Sequence, residues 1–314
     1  ANDFITSMEL AFNTEYYRVA GHLFAVMCSD DALLASFGNY EPFREKNHEA
    51  TIFTLRIQHN GLLTQEQRAE YFPIFIDNTE DDMPRIEVYQ TPNADGWLMR
   101  IAQIAHFPIC CELQTDKFFT KGTLHIEAAY HDLRFCVDNA LMLMFAFRTV
   151  PLMTLEMHAA VVVMRETQGE ELGYLFLGHS GTGKSTHAQQ WLQAFPDAWL
   201  LNDDNPILRV MDNGEVWVYG SPWSGKTRCY TNAQVRVGSI IKLSQAPVNE
   251  LQQLTLPQAY AYMLSSASGL KIDPLMSDQL YETIKYIITH VKCYLLNCLP
   301  NTDAAEVCFQ GVRG

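Results

Sequence analysis

The chain lacks long apolar runs, paired cysteines and any excess of positive charge, and each absence removes a class of function. No uninterrupted stretch approaches the roughly 18 to 20 apolar residues that span a bilayer. The longest, Ala140 to Val150, is short and is broken by Arg148. The opening Ala1-Asn2-Asp3-Phe4 carries neither the basic start nor the apolar segment of a secretory signal, so a cytoplasmic protein with no membrane partner is expected. Lys and Arg number 22 against 36 Asp and Glu, a formal net charge of −14. That balance argues against a protein gripping nucleic acid or anionic lipid over a broad surface and leaves only local basic pockets. The eight cysteines (Cys28, Cys110, Cys111, Cys136, Cys229, Cys293, Cys298, Cys308) contain no C-x-x-C pair. Neither a zinc ribbon nor a thioredoxin-like centre is indicated, and the thiols read as buried groups in a reducing compartment. Internal repeats and low-complexity segments are also missing.

What is present is enough for a large core. At 314 residues and 48% hydrophobic, the length favours two domains over one. Residues 1–128 read as a mainly β, mainly antiparallel domain with strands expected at Tyr16–Cys28, Thr51–Gln58, Arg85–Gln90, Trp97–Ala105, Ile109–Leu113 and Thr123–Ala128. Turn signals at Asn60-Gly61, Asn93-Ala94-Asp95-Gly96 and Lys121-Gly122 separate them. The acidic run Glu80-Asp81-Asp82 reads as a solvated loop, because no ordered ligand spacing surrounds it. Residues 129–153 form a connecting segment, with a helix over Asp132–Phe147 that Pro151 terminates. Residues 154–314 make up the second domain, beginning with one strand over Thr154–Met164 and ending with a strand over Tyr294–Leu299.

The chemistry concentrates in that second domain. Gly178-His179-Ser180-Gly181-Thr182-Gly183-Lys184-Ser185 is a G-x-x-x-x-G-K-S octet, preceded by the apolar run Tyr174-Leu175-Phe176-Leu177 and followed by an expected helix, Thr186–Phe195. Such a loop bends so sharply that glycine is needed at several positions, and its N–H groups then point at phosphate oxygens. The helix N-terminus adds positive potential. Gly178, Ser180, Gly181, Thr182, Gly183, Lys184, Ser185 and Thr186 are the expected ATP-binding residues. Lys184 reaches the outer phosphates, and the Ser185 hydroxyl suits Mg²⁺. A glycine-rich turn with no ligand is the competing reading, and the strand and helix flanks argue against it.

A magnesium–nucleotide site needs a carboxylate nearby, because the ion prefers several oxygen ligands. Asp203 and Asp204 end the next buried run, Ala198–Leu201, where open α/β sheets place ligand residues. Successive side chains on an extended segment diverge, so one carboxylate can hold metal while the other faces the acceptor as a base. An Asn/Asp-rich turn is the alternative. His158 lies on the strand ahead of the loop, where a lone histidine is more often packed and hydrogen-bonded than catalytic. Gly220 to Arg228 carries Lys226 and Arg228 on a second glycine-containing loop, either a cover over the phosphates or a solvated turn. His179 and His187 read as tolerated variable positions.

Three motifs in order, Met157-His158-Ala159-Ala160, the octet, and Leu201-Asn202-Asp203-Asp204, resemble the HPr kinase/phosphorylase and phosphoenolpyruvate carboxykinase superfamily over roughly residues 150–300. The resemblance implies an α/β fold with an HPr kinase C-terminal-like P-loop core, separate from the N-terminal mainly-β domain. It implies ATP and Mg²⁺, Lys184 on the transferring phosphoryl group, Ser185 and one aspartate (taken as Asp203) on the metal, and the other aspartate as proton acceptor, with His158 beside them. The motif itself leaves the division between Asp203 and Asp204 open. A homo-oligomer is also implied. The chain departs from HPr kinases after the acidic pair, where Gly220 to Arg228 lacks their Arg-Gly-rich signature, which argues against HPr as substrate. It also lacks the arginine-rich substrate motifs and the length of a carboxykinase. The expected function is a kinase acting on an unidentified protein or small-molecule hydroxyl. A nucleotide-binding regulatory module with little catalysis and a hydrolytic ATPase are the alternatives.

Overall fold

A computed structural model describes residues 12–30, 32–46, 49–77, 81 and 83–314. Glu80 and Asp82 of the acidic run, and the opening residues 1–11, lie outside the described residues. The fold is mixed α/β with two nine-stranded sheets. The chain divides into two compact units: Leu23–Met144 with the chain before Val19, and Val19–His22 with Phe145–Gly314.

In the first sheet the strands are β1 (Asn13–Val19), β2 (His22–Cys28), β3 (Arg44–Glu45), β4 (Thr54–Gln58), β5 (Phe72–Asp77), β6 (Arg85–Gln90), β7 (Gly96–Ala102), β8 (Ile109–Asp116) and β9 (Lys121–Ile126), with short helices α1 (Leu33–Phe37) and α2 (Gln65–Arg68). Their order is β3-β1-β2-β4-β9-β8-β7-β6-β5. Pairings along β5 to β9 are antiparallel, whereas β4 is parallel to both β2 and β9. The run expected as one strand over Tyr16–Cys28 is two, because Ala20 (φ 50°) and Gly21 (φ 79°) take the left-handed conformation and reverse the chain. Strand β5 escaped the sequence reading: Pro73 lies within it, and its apolar residues are exposed at the sheet edge.

Helix α3 (Leu133–Thr149) continues through a 3-10 turn, Val150–Leu152. Leu133–Leu152 is, by length and composition, long and apolar enough to cross a membrane, which Arg148 obscured in the sequence. However, 56% of its 18-residue apolar window is buried within the protein, as in a core helix.

The second sheet holds β10 (Thr154–Glu156), β11 (Ala159–Arg165), β12 (Glu171–Leu177), β13 (Trp199–Asn202), β14 (Ile207–Val210), β15 (Val216–Tyr219), β16 (Gln234–Gln245), β17 (Glu250–Gln253) and β18 (Cys293–Cys298). Helices α4 (Lys184–Ala194), α5 (Leu256–Ser266), α6 (Pro274–His290) and α7 (Thr302–Val312) complete the unit. The order is β10-β14-β15-β16-β12-β11-β13, with β18 pairing both β16 and β17. The inner strands β12, β16 and β18 are parallel. On β11 and β12 both sets of alternate residues are buried, Val161, Val163 and Leu175 as fully as Val162 and Phe176. That is the burial of a covered strand, and it explains their unbroken apolar sequences.

One face is closed by α4 and α7, where Trp191 packs among Phe176, Tyr174 and Phe309. The predicted single strand Thr154–Met164 is instead two, β10 pairing β14 and β11 pairing β12 and β13. The break falls at Met157-His158 and sets His158 just ahead of β11. Helix α7 was also unforeseen, although Asn301 caps it by accepting from the Ala304 N–H at 3.0 Å.

Candidate functional site

The octet bridges β12 and α4 as a loop of Gly178 to Gly183. Gly183 caps the helix with φ 95°, and Gly181 has φ 80°, conformations in which an L side chain is strained. At Gly178 the constraint is spatial, since a Cβ would collide with the Thr182 side chain. The Thr182 hydroxyl donates to the His179 carbonyl (2.8 Å) and its N–H to the same oxygen (3.1 Å), closing the loop on itself. Lys184 Nζ donates to the carbonyls of Gly178 (2.9 Å) and His179 (3.1 Å). The ammonium is buried, and burial lowers its pKa against the opposing pull of Asp204; Lys242 lowers it further. Ser185 and Thr186, in the first turn of α4, are exposed.

The acidic pair is placed by Asn202, a fully buried residue at the end of β13. Its Oδ1 accepts the N–H groups of Asp204 and Asn205, each at 2.8 Å, an Asx turn that bends the chain immediately after the strand. Its Nδ2 donates to the Trp223 carbonyl (2.9 Å) and Ser221 Oγ (3.3 Å), tying the second glycine loop to the acidic turn. Asp203 is 4% exposed, and its Oδ2 accepts the Thr227 N–H at 3.4 Å. Asp204 Oδ1 lies 2.9 Å from His158 Nε2. The same two segments are clamped by backbone, the Ala159 N–H donating to the Asp204 carbonyl at 3.0 Å. The two carboxylates therefore have different partners, a backbone amide for one and an imidazole for the other.

A cavity of about 400 Å³ gathers these groups: His158, Ser180, Gly181, Gly183, Lys184, Ser185, Thr186, Asp203, Asp204, Gly225 and Lys226 line it. Gly178 and Thr182 shape the loop from behind, and Arg228 is exposed and is not among the lining residues. Two further clefts, of about 570 and 460 Å³, adjoin the same loop, and Gly181 lines all three. The Gly220 to Arg228 segment, read as either a cover or a solvated turn, has a buried base at Ser221 and Trp223 and an exposed tip at Gly225 and Lys226.

A hard cation is a reasonable occupant of this cavity by donor chemistry. A hydroxyl (Ser185) and a carboxylate (Asp203) line it together, and a loop whose glycines exclude side chains lies alongside. A loop lysine and an imidazole–carboxylate pair beside an oxygen-ligand set could bind phosphate and accept a proton.

Several residues that shape the site carried no expectation. Glu156, at the end of β10, is buried with its Oε1 accepting from Asn205 Nδ2 at 3.1 Å. Burial, with the nearby Asp204 charge, pushes its carboxyl up to about 8, against the opposing Asn205 hydrogen bond. A lone carboxylate in the mostly apolar run of Thr154–Met164 was the available signal. Lys242, on β16, lines the cleft of about 460 Å³ next to His179 and Ser180, and burial lowers its pKa. Its sequence context is an ordinary strand. His187 is buried in the core and accepts from Trp191 Nε1 at 2.9 Å, and burial holds its pKa down at about 4.

Comparison with known protein families yields no family model that matches this chain, and comparison with curated proteins yields no match.

Proposed function

We propose that this protein is an ATP- and Mg²⁺-dependent kinase of the HPr kinase type that transfers the γ-phosphoryl group to a hydroxyl of a protein or small-molecule acceptor. One observation carries the reading: a single cavity is lined by Lys184, Ser185, Asp203 and the 2.9 Å His158–Asp204 pair. The loop amides and Lys184 would bind the phosphates, Lys184 leaving the carbonyls of Gly178 and His179 to do so. Mg²⁺, held by Ser185 and Asp203, would neutralise phosphate charge. Asp204 would accept the acceptor's proton, with His158 orienting it and sharing the charge. Different partners favour this division, because the backbone-anchored Asp203 is buried and the imidazole-paired Asp204 is more open.

On this reading residues 154–314 form the HPr kinase C-terminal-like P-loop core, residues 1–128 a separate mainly-β domain and residues 129–153 their connection, in a cytoplasmic and homo-oligomeric protein. The missing Arg-Gly-rich stretch points to an acceptor other than HPr. Incubating the full chain with γ-labelled ATP, Mg²⁺ and cell extract should label one acceptor, and Lys184→Ala should abolish both the labelling and ATP binding in a calorimetric titration. Equal ATP binding by wild type and variant would overturn the site assignment. Fast phosphate release without an acceptor would make the protein an ATPase, and strong labelling of HPr would refute the substrate claim.

A further inference from the structure

Three thiols meet in the first unit, two from adjacent residues of β8 and the third from α3. Consecutive side chains on a regular strand point to opposite faces. Cys110 and Cys111 escape that rule because β8 carries a bulge there: Ile101 pairs with Cys111 while Ala102 pairs with Ile109, which leaves Cys110 as the extra residue. A bulge re-aims a side chain, and here it brings both sulfurs together with Cys136 on the first turn of α3. The three Sγ atoms lie within 4.8 Å of one another, and all three residues are buried. Cys110 and Cys136 are 3.9 Å apart, sulfur to sulfur.

That spacing is the edge of a metal–thiolate polyhedron. With metal–sulfur bonds of about 2.3 Å, ligand sulfurs lie roughly 3.8 Å apart in a tetrahedron and roughly 4.0 Å apart in a trigonal plane. Among the described residues the cluster consists of these three cysteines, with no fourth His, Asp or Glu joined to it. A trigonal, all-sulfur set is unlike a structural zinc site, which takes four ligands, and suits a softer ion.

We propose that Cys110, Cys111 and Cys136 form a buried three-thiolate site for a soft d¹⁰ metal cation. The electrostatics agree. Hydrogen bonds from Cys111, then Cys136, hold the Cys110 thiol well below its ordinary range, while Cys111 and Cys136 are raised, above all by their bonds to Cys110. Metallation forms three metal–sulfur bonds, breaks the three S–H bonds and releases their protons to water. Cys110 lies two residues after the exposed Pro108, and Tyr130 is the side chain beside it.

Reduced, metal-free protein titrated anaerobically with Cd²⁺ should develop a sulfur-to-cadmium charge-transfer band that saturates at one ion per chain. Losing a ligand should cost at least what losing an outer-shell partner does, roughly 10- to 100-fold in affinity. Cys110→Ser and Cys136→Ser should therefore each lose the high-affinity band, with unchanged circular dichroism. Cys293→Ser, which alters another buried thiol, should keep it. A tenfold excess of Zn²⁺ should fail to displace the Cd²⁺, because the site lacks a fourth ligand. No band at stoichiometric Cd²⁺, a band that survives in both variants, or displacement by Zn²⁺ would each overturn the proposal.

Discussion

Replacing Glu156 by glutamine should remove a pH-dependent loss of stability. The carboxyl is buried and its pKa is raised from 4.5 to about 8, so the folded chain keeps a proton that the unfolded chain releases. Unfolding is then favoured as pH rises: below the unfolded value both states are protonated, and between 4.5 and about 8 the native state binds more proton, so stability falls by about 1.4 kcal/mol per pH unit. From about pH 5 to about pH 8 the wild type should lose roughly 3 to 4 kcal/mol from this group alone. Glutamine can still accept from Asn205 Nδ2 through its amide oxygen but does not ionise. Urea unfolding of both proteins at about pH 5 and about pH 8 gives the comparison, because other titrating groups contribute alike to both and cancel in the difference. The difference should shift toward the variant by roughly 3 kcal/mol with rising pH. A constant difference would refute the reasoning and would mean that Glu156 is ionised, its charge met by something other than Asn205.

Other substitutions test the acidic turn and the loop. Asp204→Asn should lower phosphotransfer by about 100-fold or more, as expected for loss of a general base, with little change in the Mg²⁺ requirement. Asp203→Asn should instead raise the Mg²⁺ concentration needed for half-maximal activity; equal effects of the two in both assays would deny the division. Asn202→Ala strands the N–H groups of Asp204 and Asn205 at about 1–3 kcal/mol each, so denaturant midpoints should fall and activity with them, whereas a Ser221→Ala change should cost less. Unchanged midpoints in Asn202→Ala would show that the Asx turn does not hold the pair. Gly178→Ala must push Thr182 aside and should weaken ATP binding measured by calorimetry while α-helical circular dichroism persists; full retention of affinity would show that the loop has room to spare.

The strand–loop–helix around residues 171–194 was legible in the sequence because its causes are local: an apolar run, glycines where φ is positive, and a helix beginning at Lys184. The hairpin Ile207–Val210 with Val216–Tyr219 has an equally local cause, the turn at Asp212-Asn213-Gly214. The two breaks missed in the sequence, at Ala20-Gly21 and Met157-His158, fall inside mostly apolar segments, where only Gly21-His22 and the polar Glu156 and His158 mark a turn. The second matters for the site, because it ends β10 at Glu156, starts β11 at Ala159 and sets His158 against Asp204.

By itself the sequence specified which residue types could bind phosphate, because a glycine loop and its lysine act through neighbouring backbone. Tertiary structure decided everything that depends on distance along the fold: Asn202 turning the chain at Asp203-Asp204, Glu156 kept neutral beside them, and Lys242 arriving from β16. It also decided the meeting of Cys110, Cys111 and Cys136, where a strand bulge puts two adjacent sulfurs on one face and a helix brings the third. The physical reason is the same in each case: spacing in the chain sets the local conformation, but hydrogen bonding between strands and packing between elements set which distant side chains share a cavity.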